Sequence, residues 1–537
     1  MHMLQLKNIV PILIFFSLSA LAQSPSNLNQ VVPFKHHVGA TQLPDTIAPV
    51  TAPFKMPLFK KPQFPSLTVA INDKGAQENV KATTIIQATI DEVSSRGGGR
   101  VVIPKGSWFT GRISLKSNVN LHIAEGAELR FSGEIEDYRP AVFTRNEGIE
   151  VMSLGACIYA NNQQNIAVTG KGKLIGPPDG SVRKQVMNAD VIEKIVPHDK
   201  PVAERVYEGY NGDFIFLPMF ISPINCKNVY IEGISLENTA FWNVVPVYCD
   251  GVIIRGITVH SVGIPRGDGI DIESSRNVLI EYCTLSSGDD CFTIKAGRGE
   301  DGLRVNKPTE NVVIRYCLAQ EGHGGITCGS ETAGMIRNLY VHDCVFDDTG
   351  VGIRFKTRRP RGGGGENLYY NRIRMTLRDH AFNWDMLGGR AYVGDLADRL
   401  PARAVNRLTP VYRKIVAQNI IVDKCKQFIK VTGIPESPLT SLSIENADIR
   451  SSGLITLQDV TDITISNSTI ESKDAVLTVL DGKDIRFDKV VFKVPGKQVV
   501  TKISGEKSGN IIFRNSLPQK PKDWKSNTYK PGKSTGD

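Results

Sequence analysis

The chain has 537 residues, 41% of them hydrophobic and 22% charged, a balance that excludes a disordered chain. That length is large for one compact core and suits an elongated repeat architecture. The formal net charge is +9, and with no nucleic-acid-binding motif this points to an anionic extracellular partner rather than to nucleic acid.

The first 22 residues read as an export signal. Lys7 gives a positive start, residues 9–21 are mostly apolar, and Ala20-Leu21-Ala22 offers small residues where a signal peptidase cuts. The run is short for a membrane anchor, and no later stretch could span a bilayer. Residues 23–65 form a Pro- and Lys-rich extension that either wraps the following domain or trails from it. Residues 83–93 have helical spacing, with Ile86, Ile90 and Val93 on one face. Gly97-Gly98-Gly99 ends that helix, and it suits the cap that an open solenoid end requires.

From Asn118 onward one pattern returns: Asn or Asp, then alternating β-branched and polar residues. Asn228-Val229-Tyr230-Ile231, Asn277-Val278-Leu279-Ile280, Asn311-Val312-Val313-Ile314 and Asn338-Leu339-Tyr340-Val341 are examples. The starts recur roughly every 20 to 35 residues, the period of a solenoid coil. Each unit is too short to bury its own apolar face, so units must stack and pair in parallel sheets. Asn at the turn tolerates left-handed backbone and can stack its amide on the next coil. A β-sandwich would show regular two- to five-residue hairpin turns, which are not seen. The expected fold is therefore all-β, a right-handed parallel β-helix with an N-terminal cap helix, over residues 66–516. Residues 517–537 form a basic tail.

The nine Cys are an odd number. Cys226, Cys283, Cys317 and Cys344 each sit beside a short strand-like run, which reads as an internal stack of small apolar side chains and not as disulfides or a zinc site. Two segments, 177–217 and 377–409, break the coil rhythm. A solenoid carries such insertions on one face, often the binding face. Their aromatics Tyr207, Tyr210, Trp384 and Tyr392 either wall a cleft or pack within the loops.

The chemistry concentrates in four places, each at the end of a rung or just after it. These are Gly267-Asp268-Gly269-Ile270-Asp271, Gly288-Asp289-Asp290-Cys291, Gly322-His323-Gly324-Gly325 and Arg354-Phe355-Lys356. Successive coils set such positions roughly 4.8 Å apart on one face. Cleaving a glycosidic bond needs a protonated carboxyl for the leaving oxygen and an ionised carboxylate to activate water or attack the sugar. Crowded carboxyls raise the pKa of at least one member. A nearby His can set a carboxylate's charge state, and Arg and Lys can hold an anionic sugar by its acid group. A calcium site or a polar turn ladder is the competing reading of the acidic cluster.

These motifs resemble the polygalacturonase family, glycoside hydrolase family 28, whose pattern is Asn-Thr-Asp, Gly-Asp-Asp, Gly-His-Gly and Arg-Ile-Lys. The resemblance covers roughly residues 68–515. It implies an inverting hydrolase in which Asp289 is the general acid, Asp268 and Asp290 activate water, His323 tunes the acid, and Arg354 and Lys356 grip a galacturonate carboxylate. The first motif departs from the family: Arg266-Gly267 stands where the family has Asn-Thr. Arg266 and Lys295 join Arg354 and Lys356 as candidate substrate-binding residues, with Arg266 able to read a second acidic group. No metal or cofactor is expected. The expectation is a secreted or periplasmic monomer that hydrolyses α-galacturonosidic links in acidic pectic polysaccharide, with exo action because the two insertions could close one end of the groove. A rhamnogalacturonan hydrolase of the same family, a calcium-dependent pectate lyase and a non-catalytic pectin-binding solenoid are the alternatives.

Overall fold

The computed structural model describes residues 28–179, 182, 192–210 and 214–518. The export-signal segment, part of the first insertion and nearly all of the basic tail lie outside the described residues.

The chain winds into a right-handed parallel β-helix, as its coil pattern predicts. Each full coil contributes strands to three parallel columns. One coil, for example, contains Arg276–Glu281, Thr284–Ser286 and Phe292–Lys295. The previous coil supplies the partners Asp250–Arg255, Thr258–His260 and Ile270–Glu273. Inward positions stack without a break: Leu121, Val168, Ile231, Ile254, Ile280, Ile314 and Val341 follow one another in register. All seven are buried. At about 1.5–3 kcal/mol per buried aliphatic side chain, this stack is what a single coil could never supply alone.

The Asn that opens many of the rungs has positive φ, as at Asn277 (57°), Asn311 (57°) and Asn338 (53°). Its amide donates to the Asn below: Asn311 to Asn277 at 3.3 Å, Asn338 to Asn311 at 3.0 Å and Asn367 to Asn338 at 3.4 Å. A short amide pays the left-handed backbone cost and satisfies its neighbour at once. All nine Cys are buried and free. The Cys317 sulfur accepts from the Cys283 backbone N–H at 3.5 Å, and burial pushes thiols such as Cys328 and Cys425 up to about 12. These are inert core side chains.

The helix Thr83–Ser95 covers the open N-terminal end and buries Ile86, Thr89, Ile90 and Val93. The N-terminal extension wraps. It runs along the outside of one sheet, with Leu28 and Val32 on Ile421, and Val38 on Leu318 and Val345. Phe59 packs on the outward stripe Ala167, Tyr230, Ile253, Leu279, Val313 and Tyr340. Arg255 and Arg315 donate to its backbone carbonyls at Pro44, Ala48 and Pro49. No helix among the described residues is long and apolar enough to cross a membrane.

Candidate active site

Four consecutive coils build the site, and the register explains how. Ile270, Phe292, Ile326 and Ile353 stack in one inward column. Asp268 and Asp290 each lie two residues before their column member, so they stand one above the other. Asp289 and His323 each lie three before, and the His323 backbone N–H donates to the Asp289 carbonyl at 2.8 Å. Arg354 and Lys356 point outward from the strand Ile336–Lys356.

Both cations reach back past the intervening coil to Asp290. Arg354 Nη1 meets Asp290 Oδ1 at 3.0 Å, and Lys356 Nζ meets Oδ2 at 2.7 Å. Gly324 makes this possible: a Cβ there would lie 2.7 Å from Asp290 Oδ1. His323 Nδ1 lies 3.0 Å from Asp289 Oδ1. One oxygen from each of Asp268, Asp289 and Asp290 lies within 4.8 Å of the others.

The three carboxyls differ in environment. Asp290 is fully buried, yet Lys356 and Arg354 outweigh burial and hold it well below the ordinary carboxylate range. Burial, together with the charges of Asp271 and Asp289, pushes Asp268 well upward. For Asp289 burial acts upward, but the His323 hydrogen bond prevails and lowers it. The same bond raises His323. Of the three carboxyls Asp268 therefore holds a proton most tightly, while Asp289 and Asp290 favour the ionised form. Asp289 is also the most accessible, with 25% of its side chain exposed against 5% for Asp268 and none for Asp290.

Lys295 sits beneath this cluster and not at its surface. Only 4% of its side chain is exposed, and Nζ lies 3.2 Å from Glu331, 3.6 Å from Asp271 and 3.8 Å from Asp268, over the Trp242 ring. Its position is that of a counter-ion for buried carboxylates rather than of a side chain facing the cleft. Arg266, at φ 56°, turns to Glu147, which is also held by Arg298. Both long-range pairs fix the tip of the hairpin Val142–Asn146 and Ile149–Ser153. Glu193, from the first insertion, binds Arg298 and lies 3.4 Å from Arg361.

Of the four insertion aromatics, Trp384 is a core residue. It lies in the strand His380–Asp385, fully buried, stacked on Phe355 at 4.5 Å. The insertion proper thus begins after the strand, a boundary that the disrupted rhythm concealed. Tyr207 packs on Phe214 and Phe216, and Tyr210 lies against Arg139. Tyr392 alone of the four lies against a cation of the motif strand's continuation, Arg358, at 4.0 Å.

Sequence reading gave no role to Asp271 and missed Glu273; the two alternate with the inward Ile270 and Ile272, yet have no exposed surface. Burial drives Asp271 up to about 6 and Glu273 up to about 7. Acidic residues at alternate positions of an otherwise apolar strand were the available signal. Glu331 was missed too; burial raises it, but Lys295, Arg298 and Arg361 carry it well below the usual range.

The model of the family described as "Glycosyl hydrolases family 28" matches residues 211–379, which hold all four motifs. A probable polygalacturonase of Vitis vinifera is 27% identical over 382 residues, 70% of this chain and 72% of that one. An exo-poly-alpha-D-galacturonosidase of Dickeya chrysanthemi is 24% identical over 316 residues, 55% and 52% of the two chains. The exopolygalacturonase of Thermotoga maritima superposes with a TM-score of 0.68 at 28% identity, over 76% of this chain and 93% of that chain. The family 28 exopolygalacturonase of Yersinia enterocolitica gives 0.60 at 21% identity, over 83% and 79%, and supports the fold. The carboxylate cluster, its cationic partners and these likenesses together mark the chain as a glycoside hydrolase that is similar to the polygalacturonases of family 28.

Proposed function

We propose that the protein is an exported exo-acting hydrolase of α-galacturonosidic links in pectic oligosaccharides, working with inversion. The observation that carries the reading is the grip of Arg354 and Lys356 on Asp290 beside two further carboxyls. Those two cations are 26% and 20% exposed, so they can hold Asp290 and still meet a substrate acid group.

Asp289 serves as the acid because it is the carboxyl that the cleft exposes. In the free site it is ionised, and substrate reverses this. A galacturonate carboxylate drawn to Arg354 and Lys356 cancels positive charge that now lowers Asp289, and the sugar removes its water. The proton of the cluster can then reside on Asp289, with His323 beside it. Asp290 has no exposed surface and both its oxygens are engaged, so it is poorly placed to attack the sugar itself. A water held between Asp290 and Asp268 is the better nucleophile, which supports inversion.

Exo action is supported by the uneven groove. On the coils before the cluster, Trp242, Val245 and Val247 are buried against Tyr159 and the hairpin residue Phe143. On the coils after it, the outward column continues from Arg354 through Asn383 and Lys430 to Thr456. Lys430 is exposed, and Asn383 and Thr456 are half-buried. A chain end meeting the covered side would leave one sugar to be removed at a time. Digestion of polygalacturonate tests this: galacturonate from the first minutes is expected, and an early ladder of oligomers overturns the exo reading. Proton NMR should show the β-anomer forming first, whereas the α-anomer would refute inversion. Activity that survives EDTA, without an unsaturated ultraviolet-absorbing product, excludes the lyase.

A further inference from the structure

Among the described residues Arg358 makes no ion pair within 4 Å, in a region where its neighbours do; Glu331 and Asp385 act on it only from farther off. Lys295 pairs with Glu331, Arg298 with Glu147, Glu193 and Glu331, and Arg359 with Glu436. Among the described residues no carboxylate pairs with Arg358, and its Nε and Nη1 are buried with no hydrogen-bond partner. The residue as a whole is half-buried, so an anion that reaches the open side of the guanidinium has no ion-pair partner to displace.

The position is built. Arg354 and Lys356 face outward from their strand, and the backbone at Arg358 stays extended (φ −156°, ψ 160°). The alternation therefore carries Arg358 to the same face, about 7 Å beyond Lys356 at two residues' rise. Thr357 between them turns inward, fully buried, against Thr332. Tyr392 lies under the guanidinium at 4.0 Å. Gly388 leaves room for its stem: a Cβ there would come within 2.9 Å of Cγ, Cδ and Nε. The loop that carries Tyr392 is pinned by Arg359, which donates to the carbonyls of Leu396 and Asp398 at 2.9 and 2.8 Å. Arg358 is thus a preorganised planar fork, half-buried, beside the cations already assigned to a substrate carboxylate.

We infer that Arg358, seated on Tyr392, is a second carboxylate-binding position, which takes the acid group of the galacturonate adjoining the sugar held by Arg354 and Lys356. This rests on the galacturonate reading above. It makes the enzyme selective for an acidic neighbour over a neutral or esterified one.

Calorimetric titration of the Asp289→Asn protein, which binds without turnover, provides the test. The ligands are galacturonate, digalacturonate, and digalacturonate methyl-esterified on one residue or the other. Adding Arg358→Gln should weaken digalacturonate by about tenfold to a hundredfold. Binding of galacturonate alone should change by less than threefold, which also reports an intact fold, and Arg358→Lys should recover part of the loss. Of the two monoesters, the one that removes the second acid group should be insensitive to Arg358→Gln. Equal loss on monomer and dimer, or no loss on the dimer, overturns the inference while leaving the galacturonate reading in place. A parent protein that binds none of these ligands overturns both.

Discussion

Arg266 Nη1 donates a 2.7 Å hydrogen bond to Oε1 of Glu147, joining the residue that departs from the family motif to the tip of the hairpin beside the cleft. The bond spans 119 positions of sequence. Glu147 is half-buried, and its carboxyl is lowered: loss of water opposes ionisation, but Arg298 and Arg266 prevail. Arg266→Ala should therefore loosen the hairpin that covers the coils before Asp268. On polygalacturonate the variant should release di- and trigalacturonate alongside monomer, with Tm lowered by no more than a few degrees because Arg266 itself is 36% exposed. A product pattern identical to that of the parent would show that the hairpin does not set the chain-end preference.

The coil was legible because its cause is local. A residue that accepts positive φ, most often Asn, and an apolar alternation that needs a neighbour recur from Asn118 to Asn510, with Gly251, Ser441, Asp462 and Asp484 taking the Asn place in some rungs. The four motifs were legible for the same reason, since register turns equal offsets from Ile270, Phe292 and Ile326 into a stack. What stayed hidden depends on loops folding over the coil. Asp271 and Glu273 would be exposed on a bare solenoid, and Arg145 from the hairpin is what buries Glu273. Lys295 read as a substrate ligand for want of any sign that Trp242 and Glu331 enclose it. Trp384 read as a loop residue because Asp379 and His380 interrupt the apolar alternation just before it.

Asp289→Asn and Asp290→Asn should separate chemistry from scaffolding. Both should lower kcat by about a thousandfold or more, since each removes a group acting in the transition state. Asp289 is partly exposed and its bond to His323 is largely open to water, so its variant should lower Tm only slightly and keep the parent's ligand affinity. Asp290 neutralises two cations from a fully buried position, so its variant should also lose about 3 kcal/mol of stability. Thermal unfolding beside single-substrate kinetics reads both quantities. Equal stability of the two variants would contradict the arrangement of charges around Asp290.

The pH response should carry two signatures of the same sign, one from a base and one from buried acids. His323 is raised by its bond to Asp289; its stabilising contribution is complete below about 6.5 and fades as pH rises through its folded value. The buried carboxyls Asp271, near 6, and Glu273, near 7, bind protons more tightly folded than unfolded. They too make stability fall as pH climbs from about 4.5 through those values. Glu273→Gln fixes the neutral form, so it should match the parent at pH 5 and gain on it by pH 8. Tm measured at both values is the check, and a constant difference between them would be inconsistent with a titrating Glu273.

The buried thiols give a chemical prediction. With all nine Cys free, dithiothreitol should leave Tm unchanged. An aromatic disulfide reagent should find no reactive thiol in the native protein and nine after denaturation. Burial holds Cys157 and Cys328 near 12, so neither supplies thiolate at neutral pH. A reductant-dependent fall in Tm would mean that the internal stack is cross-linked after all.

The N-terminal strap should behave as part of the core even though it lies outside the coil. Phe59 is 8% exposed and sits on Ala167, Tyr230, Ile253 and Leu279, outward residues that no turn of the helix covers. Truncating it to Ala should cost about 3 kcal/mol, the lower range for a buried Phe, because the strap can settle partly into the space. Removing residues 28–65 entirely should do more. It strips the outward stripe from Ala167 to Tyr340 of its cover and leaves Arg255 and Arg315 without the carbonyls of Pro44, Ala48 and Pro49. An apolar stripe of that length on an exposed sheet favours association. The truncated protein should therefore bind a hydrophobic dye and sediment as aggregates, while the Phe59→Ala protein stays monodisperse with a lower Tm. A truncated chain that remained monodisperse at the parent's Tm would show that the strap merely rests on the coil.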